Sequence, residues 1–119
     1  MKYRLTDETI EREGITLHRI QATKDFGDVR EGDLGGFIEN EKNLSHEGNA
    51  WVWDDAKVYG NAQVYDNAKV RGTARIYDNA VVRKEAEVSD DAWVFGNAEI
   101  YGDARVCGEA LVYGNARVF

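Results

Sequence analysis

A six-residue period, held without a break from Gly48 to Phe119, constrains this 119-residue chain more than any other feature. The segment divides into twelve hexads: GNAWVW, DDAKVY, GNAQVY, DNAKVR, GTARIY, DNAVVR, KEAEVS, DDAWVF, GNAEIY, GDARVC, GEALVY and GNARVF. The third place is always Ala, from Ala50 to Ala116, and the fifth always Val or Ile, from Val52 to Val118. Residues two places apart point the same way only in an extended chain, because strand side chains alternate. Each hexad is therefore a short strand. Its first two places, mostly Gly, Asp and Asn with Thr, Lys or Glu, form the corner. A helix fits badly: at about 100° per residue, successive Val residues drift by about 120° and define no apolar stripe. Three hexads make a triangular coil of 18 residues. The array thus predicts four coils stacked about 4.8 Å apart, a prism roughly 19 Å long with Ala and Val filling its interior.

The remaining composition bounds the class. A 13.4 kDa chain that is 43% apolar and 31% charged folds as one small domain and leaves no room for a second core. No apolar run approaches the ~18 residues of a membrane span, and the opening MKYRLTDETIEREG has no apolar signal core, so a cytoplasmic protein is expected. One cysteine, Cys107, excludes an internal disulfide and a multi-cysteine metal site and suits a reducing compartment. The net charge of -7 argues against general binding to a DNA or RNA polymer or to an anionic membrane.

The hexads resemble the hexapeptide-repeat, left-handed parallel β-helix family, in which an aliphatic residue is followed four places later by a small one. The left hand is implied by this resemblance, since crossovers between parallel strands are otherwise right-handed. The segment FGDVREGDLGGFIENEKNLSHEGNAWV also resembles the lead-in of a group of small β-helix proteins frequent in phage and prophage genomes. The expected fold is all-β: a left-handed parallel β-helix of about four 18-residue coils over residues 48–119, preceded by an N-terminal β-hairpin and cap over 1–47. Within that cap Tyr3 and Leu5, then Ile15, Leu17 and Ile20, alternate either side of TDETIEREG, which suggests the hairpin. Leu44 continues the Ala column backward, while His46 stands where Val is expected. The lead-in is expected to hide the strand edges of the first coil. The opposite end is expected to be covered by another subunit or by the last residues folding over it.

With the register set, outward residues fall on faces by steps of 18. Face one carries Trp51, Lys69, Glu87 and Arg105 beside Trp53, Arg71, Ser89 and Cys107. Face two carries Lys57, Arg75, Trp93 and Leu111 beside Tyr59, Tyr77, Phe95 and Tyr113. Face three carries Gln63, Val81, Glu99 and Arg117 beside Tyr65, Arg83, Tyr101 and Phe119. Face two is an unbroken aromatic ladder, and an apolar strip of that size marks a partner surface. Of eleven acids in the array nine occupy corners, whereas seven of eight bases lie on faces, so the faces carry +5 and the corners -8. Rings beside Lys and Arg suit a planar base with phosphates, stacking contributing ~1–3 kcal/mol per base. The simpler alternatives are that corner acids are turn formers and that Lys, Arg and Tyr are ordinary outward strand residues.

The resembled family includes many acyltransferases, which by that resemblance use a histidine base, often a loop extruded from the prism, and a site between subunits of a trimer. The array here has no histidine and no insertion, and His18 and His46 both precede it. Two histidines at unrelated positions do not make the three-histidine metal site of hydratases on this fold, so no metal is expected. The run GDLGG, residues 32–36, lacks the Lys-Ser/Thr pair of a phosphate loop and reads as a turn into the prism. Corner pairs such as Asp54/Asp55 and Asp90/Asp91 have nothing to separate their protonation, and Cys107 has no base nearby in the register.

The sequence reading is therefore a non-enzymatic homotrimer, without cofactor, that sequesters an anionic nucleotide-like ligand in clefts between prisms. The phage-like lead-in implies interference with host nucleotide signalling as a context. The expected contacts are Tyr59 and Tyr77 for stacking, Lys57 and Arg75 for phosphate, and Trp53 and Arg71 from a neighbouring face. Trp93, Phe95, Leu111 and Tyr113 are the expected oligomer interface. The alternatives are a structural module without ligand and an acyltransferase dependent on His18 or His46.

Overall fold

A computed structural model describes all residues, Met1–Phe119. It opens with an antiparallel hairpin of β1 (Tyr3–Arg12) and β2 (Ile15–Ala22), followed by β3 (Leu34–Ile38) and one 3-10 turn at Glu41–Asn43. Twelve two-residue strands, β4 (Trp51–Val52) to β15 (Arg117–Val118), occupy the fourth and fifth places of successive hexads. The hairpin turn is only Glu13–Gly14, both at positive φ (54° and 80°), the backbone of a two-residue turn that follows strand twist. The polar TDETIER segment is thus strand, not loop, and Gly14 supplies the turn. No helix is long and apolar enough to cross a membrane.

The 18-residue step is the register observed. On face one Trp51 pairs with Lys69, Lys69 with Glu87 and Glu87 with Arg105; on face two Lys57 pairs with Arg75, Arg75 with Trp93 and Trp93 with Leu111. On face three Gln63 pairs with Val81, Val81 with Glu99 and Glu99 with Arg117. The strands of the array are all paired in parallel, and the stacked coils form a β-solenoid consistent with the left-handed β-helix the resemblance implies. Ala50 to Ala104 and Val52 to Val106 close the interior. The coil number is a refinement of the sequence reading: β3 pairs in parallel with β5 (Lys57–Val58), and Leu44 bridges to Val64. The lead-in therefore builds part of a further rung, giving about five turns. Gly35 and Gly36 allow it. A Cβ on Gly36 would lie 2.5 Å from the Ala56 carbonyl oxygen, and one on Gly35 would lie 2.6 Å from that of Val52.

Every hexad begins at positive φ, and where the residue is not Gly it is Asp54, Asp66, Asp78, Lys84 or Asp90. Each of the four Asp residues accepts, through its carboxylate, the N–H of the first-place residue one coil on: Gly72 (3.1 Å), Lys84 (3.0 Å), Gly96 (3.0 Å) and Gly108 (2.9 Å). These corner acids are turn formers that staple adjacent coils.

The lead-in supplies donors to the outward carbonyls of the first coil, which would otherwise be orphaned. Backbone N–H groups of Phe37, Glu39 and Ser45 donate to Ala56, Val58 and Val64. Two buried side chains do the same at positions that have no backbone donor in the lead-in. Lys2 Nζ donates to the carbonyls of Ala50 (2.8 Å) and Gly48 (3.4 Å), and Asn43 Nδ2 to those of Ala62 (2.9 Å) and Gly60 (3.2 Å). Tyr3 donates its hydroxyl to Leu44 at 2.6 Å and packs edge-on against Trp51. At the opposite end the last residue does not fold back. Phe119 stacks on Tyr101, 5.1 Å between centroids, and extends the face-three column.

Candidate functional site

Face two carries the ladder that the register requires. Tyr59, Tyr77, Phe95 and Tyr113 stack at centroid separations of 5.2, 5.1 and 5.4 Å, with planes within 12° of parallel. The hairpin divides this ladder into a sealed and an open half. Ordinary strand alternation in β2 sends Ile20 and Ala22 into the main core and Leu17, three places before Ile20, to the opposite face. Leu17 and Phe37 then pack on Tyr59, leaving it 8% exposed, and Lys57 is 7% exposed beside them.

The expected contacts at Lys57 and Tyr59 are thus corrected in position: both point outward from the prism, but the hairpin covers them. Lys57 Nζ donates to the Asp55 carbonyl at 2.9 Å, and burial followed by the nearby Arg12 and Arg75 charges lowers its pKa. Burial raises the Tyr59 and Tyr77 hydroxyls above the usual tyrosine value. Trp51 is likewise buried, under Tyr3 and Phe26, and not outward-facing in solvent.

Of the other expected residues, Arg75 and Tyr77 remain half-buried on face two, and Arg75 lies over the Trp93 ring at 5.2 Å. Trp53 and Arg71 sit on face one, away from them within one chain, with the Arg71 guanidinium 4.5 Å over the Trp53 ring. Both acids on faces are matched to arginines: Glu87 to Arg71 at 3.5 Å, and Glu99 to Arg83 and Arg117 at 3.6 and 3.8 Å. Arg75 has no such ion pair and is the free cation of face two. The residues expected at the oligomer interface form the open half: Trp93 is 38%, Leu111 57% and Tyr113 60% exposed, with Phe95 half-buried.

Two grooves mark the surface. One of ≈ 530 Å³ is lined by Tyr77, Trp93, Phe95, Leu111 and the corner acids Asp91 and Glu109. The sequence reading set these two acids aside with the other corners. The signal that finds them is the same step of 18, which stacks Asp91 and Glu109 in one column two places before Trp93 and Leu111. The second groove, ≈ 520 Å³, lies between Lys42, Ser45 and Glu47 of the lead-in and Gly48, Gln63, Val64, Tyr65 and Asp66 of the array.

The two histidines differ sharply. His46 stacks on Tyr3 at 4.0 Å, its Nδ1 accepts the Lys2 N–H at 3.2 Å, and its Nε2 meets Glu41 Oε1 at 2.6 Å. Both ring nitrogens are committed, so His46 fixes the N-terminus to the first coil. That is why a polar ring stands where the repeat expects Val. His18 sits in β2 opposite Thr9 and Ile38, half-buried and without a side-chain hydrogen bond. Cys107 is an exposed free thiol, and no three His, Cys, Asp or Glu side chains converge as a metal site would need.

No family model matches the chain. It is 37% identical over 65 residues to the uncharacterized acetyltransferase YdcK of Escherichia coli (strain K12), a match covering 48% of this chain and 20% of that protein. The chain thus spans about a fifth of the curated relative. This similarity agrees with the hexapeptide-repeat β-helix seen here. It also overturns the sequence reading of a non-enzymatic protein, because the relative's name points toward an enzyme.

Proposed function

We propose that this chain is the acyl-coenzyme A-binding β-helix of an acetyltransferase-type protein, acting as a homotrimer of side-by-side prisms. The observation that carries the reading is the 37% identity to an acetyltransferase-named relative over 65 residues. The geometry supports it at the donor side. Acetyl-coenzyme A is an anionic nucleotide carrying a thioester arm, and a planar base with phosphates is the ligand chemistry that stacked rings beside guanidinium groups suit. In this proposal Arg75 and Tyr77 of one prism face Trp53 and Arg71 of its partner across a cleft, with the hairpin closing the wall above Tyr77. Clefts between subunits are common ligand sites. Acyl transfer also needs a proton acceptor within reach of the nucleophile. With both His46 nitrogens engaged, that role falls to His18.

Native mass spectrometry with acetyl-coenzyme A tests the reading. The expected result is a trimer carrying the donor, with Arg75→Ala and Arg71→Ala each weakening binding about tenfold or more while the prism stays folded, since each removes charge-assisted contacts worth roughly 1.5–3 kcal/mol. A monomer that takes up no donor, or donor affinity unchanged in both variants, contradicts it. His18→Ala is expected to keep donor binding and abolish transfer.

A further inference from the structure

The groove at the open end of face two has a chemistry opposite to that of the donor site. Its walls are aromatic and aliphatic, Tyr77, Trp93, Phe95 and Leu111, and its rim is Asp91 and Glu109. Neither carboxylate belongs to any of the chain's ion pairs, in contrast to Glu87 and Glu99, which both engage arginines. Asp91 is held in place by the Thr73 hydroxyl, one coil before it. Trp93 already carries one cation, the Arg75 guanidinium, and Tyr77 meets it edge-on at 6.2 Å. The indole is therefore presented in the manner that attracts positive charge. Unlike the corner acids Asp54, Asp66, Asp78 and Asp90, neither Asp91 nor Glu109 is used to staple coils through a backbone N–H.

We propose that this groove binds a small organic ammonium ion, an apolar or aromatic body bearing a protonated amine. The body lies on Trp93, Phe95 and Leu111, and the ammonium sits between the Asp91 and Glu109 carboxylates. Charge complementarity selects this occupant. An anion would be repelled by two rim carboxylates that engage no cation, whereas a neutral apolar molecule would gain nothing from their charge. The volume, ≈ 530 Å³, suits a ligand of small-molecule size. Under the acyl-transfer reading an amine held here is the acceptor, but its binding needs no donor and is tested without one.

The test is titration of the full chain at pH 7, without acyl donor, with phenethylammonium and with 2-phenylethanol. It is followed by calorimetry and by Trp fluorescence. Saturable binding of phenethylammonium at least tenfold tighter than that of the alcohol is expected. Asp91→Asn combined with Glu109→Gln should erase that preference while leaving the alcohol unaffected, and Trp93→Ala should weaken both ligands. Equal affinity for ammonium and alcohol in the natural chain, or no saturation by either, overturns the proposal. So does a Trp93→Ala variant that dissociates an oligomer yet binds phenethylammonium unchanged, since the face is then an interface between copies. Failure here with acetyl-coenzyme A still bound removes the amine site and leaves the donor site standing.

Discussion

Lys2 Nζ reaches the carbonyl oxygen of Ala50 at 2.8 Å, so the second residue of the chain caps the first hexad of the array. The ammonium also lies 4.8 Å from the Phe26 ring centroid and is removed from solvent. A long cationic side chain thus performs, as the Asn43 amide does at Ala62, a task that a neighbouring strand performs between the coils of the prism.

Lys2→Met keeps the length of the side chain and removes its donors, leaving the Ala50 carbonyl buried without one. Stability should fall by about 1–3 kcal/mol, the cost of an unsatisfied buried acceptor. Urea unfolding followed by far-ultraviolet circular dichroism checks this, and an unchanged midpoint would show that the ammonium is dispensable.

The same residue sets a pH dependence. Burial, reinforced by the Lys24 charge, lowers the Lys2 pKa from 10.5 to about 8. Between those values the unfolded chain binds more protons than the folded one, so stability rises with pH. The stability of the natural chain relative to Lys2→Met should therefore increase from about pH 8 to about pH 10.5. Burial raises the Tyr3 hydroxyl, which works in the opposite sense and removes stability once pH passes the ordinary tyrosine value. Both variants carry Tyr3, so its effect cancels in the comparison. A flat difference across that window would contradict the assignment.

Asp78 stands at φ 58° and accepts the Gly96 N–H at 3.0 Å, two properties that separate cleanly by substitution. Asp78→Gly keeps the left-handed backbone and loses only the staple, for about 0.5–1.5 kcal/mol. Asp78→Ala loses the staple and adds about 1 kcal/mol of left-handed strain. Thermal unfolding should rank the natural chain above Gly and Gly above Ala. Ala equal to Gly would mean that the corner relaxes to a different conformation.

The prism was legible because its determinants are local and repeated. Ala50 and Val52 already state the strand, and every later hexad restates it at the same spacing. The stacking of Tyr59 on Tyr77 and of Arg71 on Trp53 follows from the 18-residue step alone. The lead-in was not legible in the same way, since its contacts join residues with no shared period. Nothing near Lys2 in sequence announces Ala50, and Leu17 covers Tyr59 only because β2 pairs with β3 beside the prism, a pairing with no repeat to announce it. Outward direction was therefore predicted correctly for Lys57 and Tyr59, and solvent access was not. Asp91 and Glu109 were passed over because corner acids elsewhere, such as Asp78, are structural. Hexad position separates the two kinds: the stapling acids Asp54, Asp66, Asp78 and Asp90 stand in the first place, Asp91 and Glu109 in the second.

Turnover of acetyl-coenzyme A with phenethylamine, read by mass spectrometry of the small molecules, tests the acetyltransferase reading most directly. Mass detection avoids thiol reagents, which would report the exposed Cys107 as well. The account predicts N-acetyl product and free coenzyme A appearing together in proportion to protein, and lost in His18→Ala. Donor that remains intact over hours, in a sample shown to bind it, would contradict an acetyltransferase role for this chain.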